Sequence, residues 1–120
     1  MKKVLIVDDD PNIGEFLKHY LRERAEVSIA LSVEVGINVL EESMPDVIVL
    51  DIMMPIESGL VLLSYIKKRA FSKNPKIIVY TGINTKSLPD LLINNPLITY
   101  LIPKGEARNL YTALNKLVYE

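Results

Sequence analysis

A doubly wound α/β domain is the fold this sequence predicts, with five parallel strands and helices on both faces, and three observations predict it. Short apolar runs alternate with helical 3-4 patterns along the whole chain. The runs at 3–7, 47–50 and 77–80 lack polar alternation, as strands covered on both faces do. The links between patterns are short and rich in Pro, Gly, Asn and Asp, and parallel neighbours need helical crossovers rather than hairpins.

Each element can be justified in turn. Residues 3–7 read as a buried strand that stops at Asp8-Asp9. Asp10 then offers an N-cap and Pro11 a first helical position, and Ile13, Phe16, Leu17, Tyr20 and Leu21 follow at helical offsets. His19 falls between the apolar positions and reads as part of a solvated face. Residues 27–31 make a second strand, polar enough at its start to be a sheet edge. Ser32 can cap a second helix running to about Ser43, with Val35, Val39 and Leu40 inward, although Gly36 weakens it by about 1 kcal/mol relative to Ala. Met44-Pro45-Asp46 closes that helix and launches the strand at 47–50.

Asp51 follows that strand, and Met54-Pro55 and Gly59 mark a loop. The segment 60–70 carries Leu62, Leu63, Tyr65 and Ile66 and ends in Lys67-Lys68-Arg69, which suits the negative end of a helix dipole. A fourth strand at 77–80 ends at Thr81-Gly82. Pro89 and Pro96 bracket a short helix around 90–94, and a fifth strand at 98–102 ends at Pro103-Lys104-Gly105. Leu110, Tyr111, Leu114, Leu117 and Val118 define an amphipathic last helix. Five helices are thus expected, and the flavodoxin-like strand order 2-1-3-4-5 suits this count better than a dinucleotide-type sheet.

Composition bounds the function. Residues 1–120 read as one domain, large enough to bury roughly two thirds of its unfolded surface. Fourteen Lys and Arg against 15 Asp and Glu give a net charge of -1, so no general affinity for nucleic acid or an anionic membrane is expected. Cys is absent and His19 is the only histidine, which excludes disulfides, thiolate nucleophiles and multi-histidine metal sites. The Met-Lys-Lys start resembles a signal-peptide n-region, but Asp8, Asp9 and Asp10 interrupt the apolar run. No segment approaches the roughly 18 apolar residues of a membrane span, and the expected location is cytoplasmic.

The chemistry gathers at strand ends: Asp8 and Asp9 after the first, Asp51 after the third, Thr81 after the fourth and Lys104 after the fifth. In a parallel sheet these ends share one edge, where ligands of open α/β sheets bind. Three carboxylates that close repel one another, and a divalent cation removes the conflict. Oxygen-only ligands leaving room for water and phosphate oxygens suit Mg²⁺. Lys104 and Thr81 bring an ammonium and a hydroxyl to hold a phosphoryl group in flight, and Asp51 is placed to be its nucleophile. Taken singly, Asp10 reads as a helix cap, Thr81 as a turn cap and Lys104 as a solvated charge; jointly those readings are weak, because chance rarely decorates four of five strand ends this way.

Val7-Asp8-Asp9-Asp10, the stretch Asp51-Ile-Met-Met54-Pro55-Ile-Glu-Ser-Gly59, Thr81-Gly82 and Lys104 resemble the receiver domain of two-component response regulators over essentially the full length. The resemblance implies that Asp51 accepts a phosphoryl group from a histidine kinase or phosphotransfer protein. It implies that Asp9, Asp51 and the backbone carbonyl of Met53 ligate Mg²⁺, that Asp8 acts through metal-bound water, and that Thr81 and Lys104 bind phosphoryl oxygens. Their movement would report to a downstream output protein or domain through the expected fourth helix, the fifth strand and the last helix. No output domain is expected within these residues, nor turnover of an external substrate, direct nucleic-acid binding or membrane association; a monomer or a weak phosphorylation-dependent dimer is.

Two departures from the family pattern are visible. Lys104 is followed by Gly105 where relatives commonly have Pro. It also lies four residues after Tyr100 rather than three, so either Leu101 occupies the position of the switch aromatic or the loop absorbs an extra residue. Met53 and Ile83, two residues past Asp51 and Thr81, cannot hydrogen-bond an attacking water, and slow self-dephosphorylation is expected. The competing readings are a receiver-like interaction module that is never phosphorylated and a Mg²⁺-dependent phosphohydrolase. Retention of every acidic residue and the Lys argues against the first; Met53 in place of a second Asp, and no insertion large enough for a cap domain, argue against the second.

Overall fold

The computed structural model describes residues 1–83, 90 and 92–119. In chain order the elements are β1 (Lys2–Val7), α1 (Pro11–Leu21), β2 (Ala25–Ala30), α2 (Val33–Ser43), β3 (Val47–Leu50), α3 (Gly59–Arg69), β4 (Lys76–Thr81), β5 (Ile98–Pro103) and α4 (Ala107–Tyr119). The strands form one parallel sheet in the order β2-β1-β3-β4-β5, so β1 and β3 are neighbours and β2 is an edge. This is the predicted order. It puts the ends of the first and third strands side by side.

Strand alternation divides the core into two layers. Val4, Ile6, Val49, Ile78 and Ile102 face one side, where they meet Leu17 and Leu21 of α1 and Leu110, Leu114 and Leu117 of α4. Leu5, Val7, Ile48, Leu50, Ile77 and Val79 face the other, against Val33 and Leu40 of α2 and Leu62, Leu63 and Ile66 of α3. All four residues of β3 are buried, as a strand roofed on both faces requires.

The helix starts follow capping chemistry. Asp10 accepts from the Asn12 amide at 2.9 Å with Pro11 opening α1, Ser32 accepts from Val35 at 3.2 Å, and Ser58 accepts from Leu60 at 3.1 Å. Two expectations are corrected. Val35 is exposed rather than inward, because the face α2 lays on the sheet runs through Val33, Gly36 and Leu40. Of the helix expected at 90–94, residue 91 lies outside the described residues, while 90 and 92–94 form turns, which leaves four helices among the described residues. Pro89 and Pro96 leave too few residues between them to offset helix nucleation, and Asn94 has a left-handed φ of 58°.

Candidate functional site

Asp8 and Asp51 are each the first residue beyond their strand, and the sheet ladder fixes both. The Asp8 amide donates to the Ala30 carbonyl at 3.1 Å, and the Asp51 amide donates to the Val7 carbonyl at 2.9 Å. Each carboxylate is buried and tied down by one oxygen. Oδ1 of Asp8 accepts from the Asp10 amide at 2.9 Å, and Oδ1 of Asp51 accepts from the Met53 amide at 3.0 Å. The second oxygens turn toward Lys104, whose Nζ lies 2.9 Å from Asp8 Oδ2 and 3.0 Å from Asp51 Oδ2. Asp9 is exposed beside them, and one oxygen from each of the three carboxylates falls within 4.8 Å of the others.

Thr81 closes β4, and its carbonyl accepts from the Lys104 amide at 2.8 Å. The two residues predicted for one side of Asp51 are therefore joined at the backbone. Thr81 Oγ1 is buried and finds no hydrogen-bond partner among the described residues. A buried hydroxyl left unsatisfied costs about 1–3 kcal/mol, which points to an acceptor supplied from outside the chain. Met53 is largely in solvent with its amide engaged by Asp51, and Ile83 packs against the α2–α3 core layer.

The electrostatics are unbalanced. Three carboxylates face one ammonium. Burial pushes the Asp8 carboxyl above its usual value and the Asp51 charge adds to this, against the Asp10 amide and Lys104, which pull it down. Burial pulls Lys104 down, but its bonds to Asp8 and Asp51 carry it above its usual value. An all-oxygen donor set with surplus negative charge fits a hard divalent cation, and the unsatisfied hydroxyl beside an ammonium fits an anion.

Two glycines matter for reasons the sequence hid. A Cβ on Gly59 would sit 2.4 Å from the Asp51 carbonyl oxygen, so α3 can begin directly against the backbone of the central aspartate only without a side chain there. The Gly59 amide donates to the Ile52 carbonyl at 3.0 Å, which folds the loop tightly behind Asp51. Ser58 as N-cap places Gly59 first in the helix, but the local sequence says nothing of the carbonyl it packs against. Gly105 has φ of 99°, and the Glu106 amide donates to the Pro103 carbonyl at 3.1 Å. Lys104 thus stands at the corner of a type II turn in which glycine supplies the left-handed residue.

The register of β5 sets which face of the sheet Tyr100 and Leu101 take. After an irregularity between Ile77 and Ile78, Ile78 pairs with Tyr100, Val79 with Leu101 and Thr81 with Pro103. Leu101 shares the sheet face of Val79, Ile83 and Leu97, while Tyr100 lies on the opposite face with Tyr80 and Tyr111. Leu101 and Tyr100 therefore point to opposite faces of the sheet.

The family model of the response regulator receiver domain matches residues 4–115. Among curated proteins, the chain is 34% identical over 118 residues to the transcriptional regulatory protein MalR of Bacillus subtilis (strain 168), covering 96% of this chain and 49% of that protein. It is 26% identical over 117 residues to the probable C4-dicarboxylate response regulator DctR of the same organism, covering 95% and 51%. The chain spans about half the length of these curated relatives. Among solved structures, the response regulator TrrA of Thermotoga maritima in complex with Mg²⁺ and BeF is 31% identical with a TM-score of 0.78, covering 98% of this chain and 99% of that one. A receiver domain protein of Methanospirillum hungatei is 30% identical with a TM-score of 0.82, covering 98% and 94%. No described helix is long and apolar enough to cross a membrane. With the strand order, the acidic cluster and a family match over residues 4–115, the chain belongs to the response regulator receiver domains.

Proposed function

We propose that the chain is a phosphorylation-dependent switch of a two-component system, in which Asp51 accepts a phosphoryl group from a histidine kinase or phosphotransfer protein. The observation that carries this is the pairing of an acidic cluster with Lys104 and an unsatisfied Thr81 hydroxyl at one strand edge. Asp51 Oδ2 attacks phosphorus as the bond to the donor breaks, and the donor leaves with the electron pair of that bond. Lys104 exchanges part of its hold on Asp51 for a phosphoryl oxygen, and Thr81 donates its free hydroxyl to another. Each contact strengthens as charge moves onto those oxygens.

Asp9, Asp51 and the Met53 carbonyl would hold Mg²⁺, with Asp8 acting through a bound water. Such an ion would supply positive charge to offset the negative charge of the carboxylates and of an incoming phosphoryl group. Asp8 keeps Lys104 in place, since one ammonium bridges both carboxylates. The reading extends to a downstream output protein or domain, which the half-length match to longer regulators supports.

The test is treatment with phosphoramidate in Mg²⁺. One phosphoryl group is expected by intact mass, absent in Asp51→Asn and absent without divalent cation. Unchanged mass in the unaltered domain overturns the reading.

A further inference from the structure

The peptide that joins Ile52 to Met53, next in the chain after Asp51, is held by both of its polar groups. Its carbonyl, on buried Ile52, accepts three bonds, from the Met54 amide at 3.1 Å, the Gly59 amide at 3.0 Å and Ser58 Oγ at 3.3 Å. Its N–H, on Met53, donates to Asp51 Oδ1 at 3.0 Å. A trans peptide is planar, with C=O and N–H pointing in opposite directions, so whatever fixes the carbonyl also aims the amide. The amide takes one oxygen of Asp51 and leaves Oδ2 to Lys104, 3.0 Å away.

Two of those donors are backbone groups, and the third is the side chain of Ser58. That hydroxyl makes two bonds at once: its oxygen accepts from the Leu60 amide at 3.1 Å as the N-cap of α3, and its proton goes to the Ile52 carbonyl. Capping asks only for an acceptor, and an Asp would serve the helix as well. An ionised Asp has no proton to donate and would set a carboxylate oxygen against the carbonyl instead. The hydroxyl thus does at Ile52 what a carboxylate cap could not.

We infer that Ser58 is a positioning residue for phosphoryl transfer: by fixing the Ile52–Met53 peptide it keeps Asp51 Oδ1 engaged and Oδ2 turned toward the incoming phosphorus. The inference rests on the phosphoacceptor role proposed for Asp51. In-line displacement needs one oxygen facing phosphorus, and a carboxylate free to rotate would present neither for long. The Asp51 backbone is already fixed through its amide to Val7, so rotation of the carboxylate is the freedom that remains, and the Met53 amide and Lys104 oppose it. Lys104 stands on a flexible stem, whereas the amide is as rigid as the clamp behind it. Ser58 takes no part in the bond changes: Asp51 Oδ2 bonds to phosphorus as the donor bond breaks, the donor keeps the electron pair, and the Ser58 proton stays on Oγ.

Three substitutions in the full chain separate this role from capping. Ser58→Ala removes the hydroxyl and is a poor cap, Ser58→Gly removes it and remains a fair cap, and Ser58→Thr keeps both bonds. Labelling by phosphoramidate in Mg²⁺ is expected to slow about threefold or more in the Ala and Gly variants alike and to keep its rate in the Thr variant, although only the Ala variant melts clearly earlier. With no phosphodonor present, the Met53 amide proton resonance is expected to move upfield in the Ala and Gly variants and to hold its place in the Thr variant. A labelling rate that instead follows the melting temperature, near normal with Gly and slow with Ala, overturns the inference, as does a Met53 resonance unchanged in both. Absence of labelling in the unaltered chain defeats the phosphoacceptor reading instead, and the Met53 resonance then still decides whether Ser58 fixes the peptide.

Discussion

Thr81 is where function and stability separate most clearly. Its hydroxyl is buried without a partner among the described residues, so the domain bears a cost that a bound acceptor would relieve. Thr81→Val keeps the shape and removes the orphan. Thermal melts without Mg²⁺ or phosphodonor are expected to show a gain of about 1 kcal/mol, while the rate of labelling by phosphoramidate falls at least tenfold. A variant that loses stability and keeps its rate would place the hydroxyl outside the chemistry. If Asp51 is phosphorylated as proposed, Met53 and Ile83 flank the path of a hydrolytic water. One side chain stands in solvent and the other packs on the core layer, and neither can orient a water. Labelled phospho-protein in Mg²⁺ at neutral pH is expected to persist well beyond seconds.

Among the elements, the join between β3 and α3 is the one the site depends on. The loop from Ile52 to Ser58 is drawn tight by three bonds to the Ile52 carbonyl, from the Met54 amide at 3.1 Å, the Gly59 amide at 3.0 Å and Ser58 Oγ at 3.3 Å. Helix propensity alone predicts that Gly59→Ala stabilises α3 by about 1 kcal/mol. Contact with the Asp51 carbonyl predicts the opposite sign, since an added methyl must push back the backbone that carries Asp51. Denaturant unfolding is expected to show a loss of about 1–3 kcal/mol, with slower phosphorylation alongside. A stabilised variant would mean that the helix start yields without cost. At β5 the element, not the single residue, decides which face a side chain takes. Register with β4 puts Tyr100 beside Tyr80 and Tyr111 and leaves Leu101 on the face that holds Ile83.

For the whole molecule, the stability of the folded state is tied to the charge of one pocket. Asp8 has its folded-state pKa raised above the ordinary 3.8, by burial first and by the Asp51 charge as well. A carboxyl that holds its proton more tightly when folded loses stability as pH rises from the ordinary value through the raised one, so ionised Asp8 is a liability at neutral pH. Lys104 is raised above 10.5 because its two carboxylate partners outweigh its burial, so its contribution is complete below 10.5 and is lost as pH rises through the folded value. Mg²⁺ is therefore expected to raise the melting temperature at neutral pH. That increment should fade in acid as protons displace the cation from the carboxylates. A Mg²⁺ effect that stays constant into acid would mean the ion binds elsewhere.

The order of elements, the edge position of β2 and the convergence of Asp8, Asp9, Asp51, Thr81 and Lys104 on one edge were legible because they are written in local patterns. Unbroken apolar runs mark buried strands, and a parallel sheet aligns their ends whatever the distance in sequence. What escaped had no local signature. Val35 lies on a helical stripe that only the docking angle of α2 could turn outward, and the two prolines around 90–94 left helix and turn alike on paper. The faces taken by Tyr100 and Leu101 were also hidden, because one residue of strand register reverses every side chain and register is set by the neighbouring strand. Sequence by itself determined which groups meet at the strand ends. Only tertiary structure decided which carboxylate oxygens Lys104 spans, that the Thr81 hydroxyl is left unpaired, and that a helix starts in contact with the Asp51 carbonyl, since each depends on distances between segments that no single stretch of chain encodes.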